Sequence, residues 1–141
     1  KGLSETLRKF ARPLLGICLG QQLLFEASDE GDAAGLGRIT GRVTRLPMSA
    51  QAPTPHMGWS KLETTRENAL LEGIGETAYA YFVHSYQLEA TLPEDVVATT
   101  DYAGPVTAMV GYDNVAGTQF HPEKSQVLGL ALIANFLRWK P

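Results

Sequence analysis

The single cysteine of the chain, Cys18, ends an apolar run from Leu14 to Ile17 and stands between Gly16 and Gly20. The amphipathic stretch Gln21-Gln22-Leu23-Leu24-Phe25 follows at once. That order predicts a strand, a sharp turn and a helix, with a thiol at the apex. A nucleophile needs such a turn: it lifts the side chain out of the sheet, and small flanking residues let backbone approach. The positive end of the helix is expected to favour a thiolate and lower the cysteine pKa. The amide of Leu19, at the helix start, is placed to donate to an oxyanion. A lone cysteine after a strand also suits a small buried hydrophobe, so the thiol needs partners before it counts as a nucleophile.

Candidate partners lie 103 residues on, in His121-Pro122-Glu123. A thiol nucleophile needs a base, and the base needs a group to orient it. Pro122 fixes its own φ and keeps His121 extended. His121 and Glu123, two residues apart in an extended segment, then face the same side. The carboxylate can hold one ring nitrogen and leave the other for Cys18. Alone, this tripeptide also suits a surface turn. Paired with the glycine-flanked cysteine, it completes a Cys-His-Glu set.

The elements that must position these groups alternate. The segment Lys1 to Arg12 reads as one amphipathic helix over about 3–11, with Leu3, Leu7 and Phe10 on one face and Ser4 as N-cap. A strand is expected at 13–17, a helix at 18–28, a loop from Asp29 to Gly37 and a strand from Arg42 to Leu46. Residues 47–57 hold Pro47, Pro53 and Pro55 and read as irregular. Strands are expected near 59–63, 79–88 and 96–101, with a hairpin joining Val106–Tyr112 to Val115–Phe120 across Asp113-Asn114. A last helix, Gln126 to Trp139, carries Leu128, Leu132, Ile133, Phe136 and Leu137 at helical spacing, to pack on the sheet. The fold class is α/β with a mixed sheet.

Composition narrows the function. With 141 residues, 44% hydrophobic and 19% charged, the chain fits one domain with a core. A net charge of −3 points to no nucleic-acid partner. No apolar run is long enough for a membrane span and no signal pattern is present, so no membrane partner is expected. One cysteine excludes an internal disulfide and fits a reducing, cytoplasmic setting. The three histidines and one cysteine show no metal-ligand spacing.

Together, Gly16-Ile17-Cys18-Leu19-Gly20 and His121-Pro122-Glu123 resemble the class I (triad-type) glutamine amidotransferases. The resemblance implies a flavodoxin-like α/β domain, a mixed, mainly parallel central sheet flanked by helices. Pro55-His56-Met57-Gly58-Trp59 and Tyr81-Phe82-Val83-His84-Ser85-Tyr86-Gln87 are similar, within that family, to the glutaminase subunit of imidazole glycerol phosphate synthase. That implies hydrolysis of glutamine to glutamate and ammonia, with Cys18 as nucleophile, His121 as base and Glu123 orienting it. It implies substrate binding by Gly20, Gln22, Ser85 and Tyr86, and an oxyanion contact from Leu19. Trp59, Tyr81 and Lys124 are implied to face a partner, a TIM-barrel cyclase that receives the ammonia and makes imidazole glycerol phosphate in histidine biosynthesis. No cofactor and no metal are implied. By residue type alone, Trp59 and Tyr81 also suit a core and Lys124 simple solvation. His56 and His84 are expected to be hydrogen-bonded scaffold.

Two departures from the family pattern stand out. Gln21 occupies a position where the histidine-pathway glutaminase often carries methionine. The elbow lies at residue 18, whereas the family places ahead of it the first strands and a glycine-bearing loop, the other half of the oxyanion hole. Residues 1–141 are therefore expected to be the C-terminal two-thirds of the family domain, N-terminally incomplete, and to be a weak glutaminase alone. Three other readings stay open. One is the glutaminase of another synthase, such as anthranilate synthase, against which Pro-His-Met-Gly-Trp speaks. The second is a docking module of weak catalysis. The third is a cysteine hydrolase of another amide or ester.

Overall fold

The computed structural model describes residues 2–31 and 34–141. In chain order the elements are α1 (Gly2–Arg8), β1 (Leu14–Ile17), α2 (Leu19–Leu23), β2 (Ala27–Ser28), β3 (Gly41–Arg45), β4 (His56–Lys61), β5 (Glu63–Thr64), β6 (Tyr79–His84), β7 (Tyr86–Ala90), β8 (Val96–Asp101), β9 (Pro105–Tyr112), β10 (Val115–Thr118) and α3 (Gln126–Arg138). A central sheet has the order β1-β10-β9-β8-β5, a second β2-β3-β7, and β4 pairs with β6 alone.

Alternation along β1 and β10 divides the core in two. Leu15 and Ala116 belong to a cluster with Phe82, Met109, Phe120, Leu128 and Leu132. Their neighbours Leu14 and Val115 belong to another, with Leu24, Phe25, Val43 and Leu88. Successive strand residues point to opposite faces, so the central sheet is covered on both. Helix α3 lies on one face and the β2-β3-β7 sheet with the end of α2 on the other. Among the described residues, no helix is long and apolar enough to cross a membrane.

The α/β class and the mixed sheet agree with expectation, but the mixture differs in balance. In the central sheet β1–β10 is parallel, while β10–β9, β9–β8 and β8–β5 are antiparallel. The β9–β10 hairpin turns at Asp113, whose φ of 54° is the left-handed value that such a turn requires. It returns the chain to β1, and this return sets the one parallel pairing of the sheet.

Other expectations need correction. Helix α1 stops at Arg8 and buries none of its residues, and Ser4 lies inside it instead of capping it. Leu3 is exposed. Polar contacts hold this segment instead. Asn114 Nδ2 donates to the carbonyls of Phe10 and Arg12, and Arg38 Nη1 donates to that of Leu7. The Lys1 end of the expected helix and the Asp32–Ala33 part of the expected loop lie outside the described residues.

Helix α2 is five residues long, much shorter than the 18–28 expected. Its continuation is pre-empted: the carbonyls of Leu23, Leu24, Phe25 and Glu26 accept N–H groups from residues 35–39. The expected strand 79–88 breaks at Ser85, and its halves join different partners, β6 with β4 and β7 with β3. Strand β4 begins at His56, inside the stretch expected to be irregular. On α3, Leu128 and Leu132 are buried, whereas Leu137 is 78% exposed and faces away from the sheet.

Candidate active site

Cys18 sits between β1 and α2 with φ 54° and ψ −107°, a strained conformation for a non-glycine residue. Its amide donates to the Thr118 carbonyl at 2.7 Å, which extends the parallel β1–β10 pairing by one residue. The two flanking glycines differ in purpose. A Cβ on Gly16 would stand 2.5 Å from the Gly20 carbonyl oxygen, so Gly16 admits the helix backbone. A Cβ on Gly20 would meet open space.

The thiol lies beside the next residue of the β10 segment. Gln119 is fully buried and directs Nε2 at the Cys18 sulfur, 3.7 Å away. The sulfur also lies 3.9 Å from the Val83 carbonyl. Burial pushes the Cys18 pKa up, opposed by hydrogen bonds from the Leu19 amide and Gln119 and reinforced by the Glu123 and Glu30 carboxylates. This corrects the expected depression. A five-residue helix start and two weak donors do not outweigh desolvation.

His121 follows β10 and leads into a 3-10 turn, Pro122–Lys124. Its Nδ1 is 2.6 Å from Glu123 Oε1, the expected carboxylate–imidazole pairing, but the 3-10 turn and not an extended segment brings the two side chains together. With Nδ1 engaged, Nε2 is left to face a substrate or thiol. The backbone of β6 anchors this turn. The His121 amide donates to the Tyr81 carbonyl, the Tyr81 amide donates to Ser125 Oγ, and Ser125 Oγ donates to the His121 carbonyl at 2.6 Å. Both groups lie against the backbone of β6, the Cys18 sulfur beside the Val83 carbonyl and the His121 amide on the Tyr81 carbonyl two residues earlier. Among the described hydrogen bonds, none joins Cys18 to His121.

Gln22 is buried one turn past Cys18, its Nε2 3.4 Å from the Tyr86 carbonyl and 3.4 Å from Gln119 Oε1. Ser85 forms the corner between β6 and β7, and its carbonyl accepts the Leu46 amide. The Tyr86 ring lies under the Arg45 guanidinium, 5.7 Å away. Leu19 turns its amide toward the sulfur and its side chain to solvent. A cavity of about 170 Å³ lies against Leu19, Gln22, Ser28 and Glu30.

Trp59 and Tyr81 are register partners on β4 and β6, with ring centroids 5.7 Å apart. Trp59 is 48% exposed, which excludes the core reading. Lys124 is exposed at the end of the turn that follows His121. A larger cleft, about 570 Å³, adjoins this face between Trp59, Tyr79, Ile74, Val127 and Leu128. It does not reach the thiol.

Gln119 and Ser125 were not singled out from sequence, although strand alternation puts Gln119 on the same side as His121. The two other histidines are buried and hydrogen-bonded, as expected. His56 is 1% and His84 6% exposed, and both form hydrogen bonds. Among the described residues no three His, Cys, Asp or Glu side chains gather as metal ligands.

The family model for "Glutamine amidotransferase class-I" matches residues 1–139. The chain belongs to the class-I glutamine amidotransferases. Over its full length this amidotransferase chain is 50% identical to "Imidazole glycerol phosphate synthase subunit HisH" of Brucella abortus (strain 2308), and it covers 68% of that relative. It is 51% identical, at the same coverage, to the protein of that name from Agrobacterium fabrum (strain C58 / ATCC 33970). A crystal structure of a glutamine amidotransferase from Thermotoga maritima superposes with a TM-score of 0.63 at 20% identity, over 96% of this chain and 51% of that one. At that identity the likeness shows a shared fold.

Proposed function

We propose that this chain is a glutaminase subunit of an imidazole glycerol phosphate synthase, with Cys18, His121 and Glu123 as its triad. The observation that carries the reading is the pairing of β1 with β10, which supports a thiol and a carboxylate-held imidazole meeting at one sheet end. The roughly 50% identity to named HisH subunits supports the choice of synthase.

In this mechanism His121 takes the proton of Cys18, and the thiolate attacks the carboxamide carbon of glutamine. The tetrahedral oxyanion forms within reach of the Leu19 amide. Glu123 stabilises the imidazolium, which returns its proton to the departing ammonia. Water then cleaves the glutamyl thioester to glutamate. Gln22, Gly20, Ser85 and Tyr86 hold the substrate. Ammonia passes to a TIM-barrel cyclase subunit docked on Trp59, Tyr81 and Lys124, in the cytoplasm, without metal or organic cofactor. An exposed tryptophan packed on a half-buried tyrosine suits a contact centre.

The test is intact mass after incubation with an electrophilic diazoketone analogue of glutamine, with and without the cyclase. One adduct is expected, faster with the cyclase, suppressed by glutamine and absent from Cys18→Ala. An adduct that glutamine does not suppress points instead to a hydrolase of another amide or ester. Acceleration by the anthranilate partner, and not by the cyclase, moves the chain to that synthase.

A further inference from the structure

The mechanism uses neither His56 nor His84, yet both are buried in a line of polar contacts that ends at the thiol. Ser60 Oγ lies 2.9 Å from His56 Nε2, and His56 Nδ1 lies 2.9 Å from His84 Nε2. His84 Nδ1 lies 2.8 Å from the Tyr86 carbonyl oxygen. That oxygen also receives Gln22 Nε2, which reaches Gln119 Oε1, and Gln119 Nε2 reaches the Cys18 sulfur. The two imidazoles face each other across the β4–β6 register. Phe82 and Tyr102 stack on His56, with centroids 4.8 and 3.9 Å away, so only its in-plane nitrogens are left for polar contacts.

A backbone carbonyl can only accept, and this fixes the direction of every bond in the line. His84 must carry its proton on Nδ1, so its Nε2 accepts from His56 Nδ1–H, and His56 Nε2 accepts from Ser60. On the other side, Gln22 must present its NH₂ to Tyr86. Gln119 must therefore present oxygen to Gln22, which leaves its NH₂ for Cys18. With one proton on each ring, every contact in the line has one donor and one acceptor. Burial, which holds both histidines below the usual imidazole pKa, agrees with two neutral rings.

We propose that His84, held by His56, is a positioning residue for Cys18: by fixing the Tyr86 carbonyl it orients Gln22 and Gln119 so that an N–H donor faces the nucleophilic sulfur. The line starts on the inner face of β4, whose outer face carries Trp59. The proposal deepens the glutaminase reading and rests on it only for turnover.

The full chain tests it, with its cyclase for the kinetic arm. Nitrogen-15 spectra of the wild type should show Nδ1–H tautomers at both His56 and His84. An Nε2–H tautomer at either ring overturns the proposal without any substitution. His84→Asn keeps a donor near Nδ1 for the Tyr86 carbonyl, whereas His84→Gln reaches the Nε2 side and loses it. The pH midpoint of Cys18 alkylation by iodoacetamide should be unchanged in His84→Asn and raised by about half a unit or more in His84→Gln. In His84→Gln, kcat should fall about tenfold with KM within about threefold, and His84→Asn should restore most of it. Equal behaviour of the two variants would mean that His84 only fills space. If glutamine is not the substrate, turnover is lost in the wild type too, while the tautomers and the alkylation midpoints still decide the positioning role.

Discussion

Gly129 lies inside α3, where replacing glycine by alanine normally stabilises a helix by about 1 kcal/mol. Here the sign should reverse. A Cβ at Gly129 would overlap the Pro122 carbonyl oxygen and stand 2.6 Å from its carbon and 3.0 Å from Pro122 Cα. Carbon–carbon contacts settle near 3.5–4.0 Å, so α3 and the turn must separate by roughly 1 Å. Overpacking against backbone costs about 1–3 kcal/mol, and the upper end applies because neither side is a flexible side chain. After the helix-propensity gain, Gly129→Ala should lose about 2 kcal/mol, a drop in Tm of about 6 °C for a domain of this size. The displaced turn carries His121 and Glu123, and a misplacement of about 1 Å can cost ~100-fold in rate. Thermal melts and the rate of diazoketone labelling at Cys18 measure the two effects. A Gly129→Ala protein that melts at or above wild type and labels at the wild-type rate would refute the close-approach argument.

Three further outcomes can be checked. Gly16→Ala places a Cβ 2.5 Å from the Gly20 oxygen and 2.8 Å from the Gln21 nitrogen, so labelling of Cys18 should slow at least about tenfold with about 1–3 kcal/mol lost; unchanged labelling would show that the elbow tolerates the methyl. Gln21 is fully buried with neither amide atom hydrogen-bonded, so Gln21→Met should raise stability in urea by about 1–2 kcal/mol, and a loss would mean that the amide has a partner. His56 is held down from 6.5 to about 4, chiefly by burial and then by His84. The unfolded chain binds that proton first, so the contribution is complete above about pH 6.5 and is lost as pH falls toward 4. It amounts to about 3 kcal/mol at most, and His56→Asn should flatten the urea midpoint over that window.

Features set by near neighbours in the chain were legible in the sequence. The apolar run ending at a glycine-flanked Cys18, the Asp113-Asn114 turn and the periodic stretch from Gln126 announce their own structure. The His121–Glu123 pairing was legible too, and proline does keep His121 extended, but the 3-10 turn that follows was not foreseen. What was not legible is made at a distance. Nothing local shortens α2; backbone donors from residues 35–39 do it. No breaker residue divides 79–88, because Ser85 becomes a corner only when β3 and β4 claim the two halves. His56 and His84 meet through cross-strand register, and Gln119 finds the sulfur only because β10 lies beside β1. The stripe on α1 was legible but misleading, because amphipathicity states which face prefers burial and not whether a surface is there to bury it.

The parallel pairing of β1 with β10 also has a temporal meaning. Cys18 and Gln119 are 101 residues apart in the chain, so their contact closes one of the longest loops the molecule possesses. Contacts of such separation form late, after local turns and hairpins have shortened the search. A refolding copy should therefore acquire its secondary structure well before its thiol meets Gln119 or the carboxylate-held imidazole. Glutamine-directed labelling of Cys18, which needs the assembled site, would then report completion of the fold, whereas an immature copy would expose its thiol to simple alkylation.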